Sequence, residues 1–268
     1  MITTCSVAPH GFSIIEEIAG PEKEMFKKTR DSMIEMGELI MKDRPDTIVV
    51  LTPHGLRLRG FNGIYTTAYC RGSLSQFDVS VSLDYKCDTD LSNEILDALD
   101  QTDIPVVGCN YGALSGEFSN IEMDWGTLIP LWFCTADYQP EIVVIAPTRE
   151  IPKTQLIEMG KVMGNIFNRS KKKIAVIASA DQGHCHDKDG PYGYHESSKI
   201  LDEKVMALVV ADDLEKLLYI EESLIEDAKP DSIWQMLILH GILGDSKKGR
   251  LLSYEVPTYF GMAVAVYE

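Results

Sequence analysis

The sequence predicts an α/β fold: a single three-layer α/β/α domain over residues 1–268, with a mainly parallel central sheet and additional antiparallel strands. Three observations carry that expectation. Short runs rich in Val, Ile and Ala recur at 46–52, 141–146 and 173–180, the pattern of strands buried on both faces. Longer segments with apolar residues at helical spacing separate them, and strands that alternate with helices build parallel sheets covered on both sides. The 268 residues are enough for one large α/β domain.

Taken in order, residues 3–9 form the first expected strand. Pro9 ends it, because proline has no N–H for a sheet ladder, and His10 and Gly11 follow. Residues 12–20 read as a loop or short turn. Pro21 to Lys42 reads as a helix with Pro in its first turn and Met25, Met33, Met36, Leu39 and Ile40 as its apolar face. The strand over 46–52 stops as the first does, in Thr52-Pro53-His54-Gly55. From Gly63 to Asp84 apolar and polar residues alternate, as in one or two antiparallel or edge strands. Asp88 or Asp90 can cap a helix over 91–101, and Ile104 to Cys109 reads as a strand. Met123 to Ala136 is an apolar helix with Pro130 inside it, so an irregular start is expected. A strand over 141–146, a helix over 152–168 and a strand over 173–180 follow, the last running into Asp181-Gln182-Gly183-His184-Cys185-His186. Residues 187–194 are polar and turn-rich. Helices are expected over 196–210, 212–225 and 232–243, the last capped by Asp231, and a final strand over 253–266.

Composition removes several function classes. Lys and Arg number 25 against 41 Asp and Glu, a formal net charge of -16. Such a surface argues against nucleic acid or an anionic membrane as the main partner. No apolar run is long enough to span a bilayer, and the first residues lack the basic start and apolar core of a secretory signal, so a cytoplasmic protein is expected. None of the six cysteines forms a Cys-x-x-Cys pair, which argues against a zinc ribbon or a thioredoxin-type motif. Most sit in apolar, strand-like context as buried thiols; Cys185 is the exception, between His184 and His186.

The chemistry is expected at the strand ends. In a parallel sheet the carboxyl ends of neighbouring strands share one crevice, where ligands bind. A lone histidine at such an end commonly meets only a carbonyl or water, but the strand-Pro-His-Gly ending occurs twice, at His10 and His54. Imidazole is the commonest side-chain metal ligand, so the pair points to a metal site. A third strand leads to His184, and Asp231 opens a late helix, with Glu226 and Asp227 just upstream. Two histidines and one carboxylate on one face of a metal leave its other face open, which suits non-haem Fe(II) oxygen chemistry. A third histidine, with a free pKa near neutrality, suits general acid/base work.

These segments resemble the class III extradiol ring-cleavage dioxygenases, the superfamily of the protocatechuate dioxygenase catalytic subunit and of the Memo proteins. The matching residues are Ala8-Pro9-His10-Gly11, Thr52-Pro53-His54-Gly55, Asp124-Trp125-Gly126-Thr127-Leu128-Ile129-Pro130-Leu131, Ser179-Ala180-Asp181-Gln182-Gly183-His184 and the segment from Asp231 to Leu243, in family order. The resemblance implies that His10 and His54 are the two histidine ligands of iron. It implies Asp231 as the carboxylate ligand, with Glu226 the alternative, and His184 as the acid/base residue. The implied cofactor is Fe(II), with Zn(II) or Mn(II) as alternatives, the implied substrates are a small aromatic diol or aminophenol and O2, and the implied assembly is a homo-oligomer.

Two departures stand out. Trp125 occupies the place where many ring-cleaving members carry His, and tryptophan can donate a hydrogen bond and stack but cannot transfer a proton at neutral pH. The second is Asp rather than Glu as the matched ligand. Two other readings therefore stay open: a Memo-like metal- or partner-binding protein without ring cleavage, and a zinc hydrolase with Asp181 and His184 in a base role. Tyr192 and Tyr194 are candidates to line the pocket, and Arg59 and Arg71 to meet a substrate carboxylate. His186 is expected beside the site or exposed, and His195 and His240 are expected to be structural.

Overall fold

The computed structural model describes residues 1–244 and 247–268. Its strands are β1 (Ile2–Ala8), β2 (Thr47–Leu51), β3 (Asn62–Tyr65), β4 (Tyr69–Ser73), β5 (Ser82–Lys86), β6 (Val106–Cys109), β7 (Asn120–Glu122), β8 (Glu141–Ala146), β9 (Ile174–Ser179), β10 (Gly249–Glu255) and β11 (Met262–Tyr267). Its helices are α1 (Glu16–Ala19), α2 (Lys27–Lys42), α3 (Thr89–Leu99), α4 (Trp125–Trp132), α5 (Lys153–Arg169), α6 (Glu196–Val210), α7 (Glu222–Ala228) and α8 (Ile233–Leu243).

An eight-stranded sheet has the order β10-β11-β1-β9-β2-β8-β3-β6, and a smaller sheet has the order β5-β4-β7. The middle of the large sheet, β1, β9, β2 and β8, is parallel; β11 joins β1 antiparallel and β3 joins β8 antiparallel. Alternate residues of the middle strands serve opposite layers. Val49, Leu51, Val143, Ile145, Val176 and Ala178 pack under α3, α5, α6 and α8. Ile48, Val50, Ile142, Val144, Ala175 and Ile177 pack against α2, α4 and the smaller sheet. Burial on both faces is why these strands read as unbroken apolar runs. Each Val, Leu or Ile among them contributes roughly 1.5–3 kcal/mol of transfer free energy.

Register sets the site. Ala8 lies opposite Ser179, and Leu51 lies opposite Ala178. The loops that leave β1, β9 and β2 therefore start at one level. Helix α8 is apolar almost all round and buried along its length, as a helix wedged between a sheet and another helix must be. It meets α5 at Gly160 and Gly241, where a Cβ on Gly160 would overlap the Ile238 carbonyl.

Several expected elements differ. Gly20–Phe26 winds as a 3-10 helix before α2, and its three-residue turn breaks the phase of the apolar stripe, so Met25 is exposed. The expected helix over 212–225 divides into a 3-10 segment, Leu214–Tyr219, and α7, separated by extended backbone at Ile220 and Glu221. Gly63 to Asp84 supplies β4 and β5 of the smaller sheet together with part of β3. The expected strand over 253–266 is two strands, β10 and β11, joined by a loop that contains Pro257 and Gly261. Asp88 does cap α3, accepting the Leu91 N–H at 3.1 Å. Asp231 does not cap α8: Ser232 holds the cap position, and no side chain bonds there.

Candidate metal centre

His10 leaves β1 under tight control. Its backbone N–H donates to Asp181 Oδ1 at 3.0 Å, and its Nδ1 lies 2.9 Å from Ser179 Oγ. With Nδ1 engaged, Nε2 faces inward, 3.2 Å from Asp181 Oδ2. Asp181 also reaches the loop before α8, because its backbone N–H donates to Asp231 Oδ1 at 2.9 Å. That bond uses one carboxylate oxygen and leaves Oδ2 directed at the histidines.

His54 is held differently. Its N–H donates to Thr52 Oγ1, and that hydroxyl donates to Asp124 Oδ1 at 2.6 Å. Asp124 caps α4 by accepting the Thr127 N–H, so the cap and the His54 loop are one unit. The His54 ring stacks on Trp125, with centroids 4.1 Å apart. Gly126 permits the approach: a Cβ there would lie 2.6 Å from Thr52 Oγ1 and 3.4 Å from His54 Cδ2.

The three donors converge. His54 Nε2 lies 3.0 Å from His10 Nε2 and 3.2 Å from Asp231 Oδ2, and His10 Nε2 lies 3.3 Å from the same oxygen. Protons alone cannot satisfy two facing imidazole nitrogens and one shared carboxylate oxygen. Separations near about 3 Å are those of adjacent ligands around one ion held at roughly 2.1 Å. Two imidazoles and a carboxylate could thus hold a metal ion here.

The charges agree with that chemistry. Burial opposes protonation of His10, but Asp181 and Asp231 outweigh it and raise its pKa to about 9. Burial, with Asp231 alongside, pushes the Asp181 carboxyl up to about 7 against the pull of His10. Burial works on Asp231 too, yet the surrounding imidazoles hold it well below the usual carboxylate range. His54 is lowered by burial and by the neighbouring His10, against Asp231.

A pocket of about 300 Å³ opens over the donors. His10, His54, Asp181 and His184 line it, with Phe12, Trp125, Tyr192, Tyr259 and Phe260 among its walls. The His184 ring stacks on Phe260 at 5.3 Å, and its Nδ1 is buried without a well-aligned hydrogen-bond partner. Burial lowers its pKa. The His184 loop is anchored by its own N–H, which donates to the Ala228 carbonyl at 2.7 Å, and by the Gly183 N–H, which donates to the buried Asp202. His54 and Trp125 also border a second cavity of about 500 Å³, so their stack is a wall between the two.

The model of the family described as the catalytic LigB subunit of aromatic ring-opening dioxygenase matches residues 4–267. The chain belongs to the LigB family. Among relatives of this LigB-family chain is the Clostridium acetobutylicum protein CA_C1420, 24% identical over 249 residues, which are 92% of this chain and 53% of that one. The chain thus spans about half the length of that relative. In fold it is similar to the uncharacterized protein JW3007 of Escherichia coli K12, with a TM-score of 0.63 at 14% identity, over 99% of this chain and 100% of the other. No helix among the described residues is long and apolar enough to cross a membrane.

Of the residues singled out in the sequence, His10, His54 and Asp231 come together, and His184 lines the same pocket. Glu226 is exposed on α7, away from the triad. Tyr192 lines the pocket, whereas Tyr194 is exposed and is not among its walls. Arg71 is taken up by Asp84 and Glu117 over the Tyr69 ring, and Arg59 is exposed; neither lines the pocket. His186 bonds Asp202 at 2.8 Å, and His195 caps α6. Cys185 is buried, with its thiol on the Asp227 carbonyl. Sequence reasoning missed Phe260 and Asp202. Phe260 was hidden inside an expected strand, and nothing local distinguishes Asp202 on its helix.

Proposed function

We propose that this LigB-family chain is a non-haem Fe(II)-dependent extradiol dioxygenase that opens a catechol- or aminophenol-type ring with O2. The observation that supports it most is the convergence of His10, His54 and Asp231 at the floor of a pocket that also presents His184. In this reading those three residues hold the ion, and Fe(II), when bound, supplies the activation of O2 and the polarisation of the substrate oxygens.

The chain's own groups do the rest. Ser179 and Asp181 hold the His10 ring so that Nε2 faces the floor. Burial keeps His184 neutral near pH 7, ready to accept a hydroxyl proton from the bound diol. The aromatic walls orient the ring and exclude water. Trp125 stands over His54 and adds no proton-transfer group, which favours a second reading: a Memo-like protein that binds metal without cleaving rings.

The deciding experiment is anaerobic reconstitution with Fe(II), then O2 uptake and visible spectra against a panel of catechols and aminophenols. Oxygen consumption with a new yellow product supports ring cleavage. Tight metal binding with no uptake across the panel transfers the assignment to the binding protein. His184→Ala should retain metal and lose turnover by about 100- to 10,000-fold. Because burial lowers the His184 pKa from 6.5, kcat/KM should fall on the acid side with a midpoint below that value. The acid limb should vanish in the variant; a limb that survives unchanged removes His184 from the proton transfer.

A further inference from the structure

The walls of the pocket also describe what they exclude. Around the metal donors they are aromatic or neutral: Phe12, Tyr259 and Phe260 with Ser13 and Thr258. Among the described residues, no Lys or Arg lines the pocket. Besides the histidines the lining holds the Asp181 carboxyl, and the carboxylate of Asp231 lies just beneath. Arg30 and Arg149 are not among those lining residues. Arg30 donates to the carbonyls of Ile14 and Lys23, and its Nη2 is buried without a partner. Arg149 lies over the Trp234 ring and, with Arg57, lines a separate cavity of about 140 Å³. Thr258 Oγ1 is buried without a partner, and His184 Nδ1 without a well-aligned one. Both belong to groups that can meet a hydroxyl or an amine, and neither is a fixed cation that could balance a carboxylate.

We propose that this site takes an uncharged, apolar-substituted catechol and rejects a catechol that carries a ring carboxylate. The proposal rests on the catechol reading above. A carboxylate drawn into these walls gives up its water and meets aromatic faces, whose π clouds are negative, with no Lys or Arg among the described lining residues to pair with it. An alkyl or ester substituent buries apolar surface against the same rings at no such cost.

The test compares 3,4-dihydroxybenzoate with its methyl ester, which keeps the diol and the electron-withdrawing group and removes the charge. Binding to the Fe(II)-loaded full chain is measured by calorimetry under argon at near-neutral pH, so no turnover is needed. The ester should bind at least about tenfold tighter than the acid. Equal affinity, or tighter binding of the acid, overturns the proposal while leaving catechol binding intact. If neither ligand binds, the catechol reading fails and the proposal with it. Thr258→Arg places a cation in the wall and should raise affinity for the acid relative to the ester about tenfold. A gap between acid and ester that stays the same in a folded, metal-loaded Thr258→Arg chain also overturns the proposal.

Discussion

The two sides of the centre are built from different interactions. On the His10 side the imidazole is 2% exposed, and both ring nitrogens and the backbone N–H face polar partners on the β9 and α8 loops. On the His54 side the side chain is 25% exposed, the ring rests on Trp125, its backbone is held through Thr52 and Asp124, and its Nε2 meets Asp231 and His10 at the centre. A buried polar network restricts geometry strongly, because each broken bond leaves a stranded polar group in a low dielectric. An aromatic stack is worth about 0.5–1.5 kcal/mol and tolerates sliding. The His10 side is therefore the fixed frame, and the His54 side is where pocket shape can vary without loss of the centre. The tryptophan at position 125 falls on the variable side.

The strongest way to break this contrast is to delete each histidine. His10→Ala and His54→Ala should both lose metal on gel filtration, and full metal content in either would sink the ligand assignment. Only His10→Ala should also cost the apo fold heavily, about 3–5 kcal/mol, because Asp181 then loses its imidazole partner and Asp231 keeps only His54. Equal melting temperatures for the two apo variants would contradict the contrast. Next in size is Asp181→Asn, which weakens the bracket around His10 and should reduce metal affinity about 10- to 100-fold; affinity within twofold of wild type, by competition with a chelating dye, would show that the bracket is dispensable. The smallest effect belongs to the other side. Trp125→Ala should leave metal affinity near wild type and weaken catechol binding by roughly two- to tenfold, the worth of one aromatic contact. Metal loss as large as in Asp181→Asn would mean that both sides are frame.

Particular residues show what was readable before folding. The runs Thr47–Leu51, Glu141–Ala146 and Ile174–Ser179 announce themselves because burial on both faces leaves an uninterrupted apolar signature. Asp88 announces its cap because its partner, the Leu91 N–H, lies three residues away. Asp231 carries the same local cue before α8, yet its Oδ1 accepts the Asp181 N–H, fifty residues back in the chain. The β10–β11 hairpin was concealed because the loop between its strands is itself rich in strand-forming residues, Val256, Thr258, Tyr259 and Phe260.

The sequence by itself determined the α/β architecture, the place where each inner strand stops, and the identity of the two histidines that follow Pro9 and Pro53. Those are local matters of periodicity and backbone chemistry, legible within a few residues. Only the tertiary structure decided that β1, β9 and β2 end level, that Asp231 rather than Glu226 meets the histidines, and that no Lys or Arg among the described residues enters the pocket wall. His10 and His54 are 44 residues apart and His10 and Asp231 are 221 apart. Sheet register and helix packing join residues so distant, through contacts that belong to no single stretch of chain.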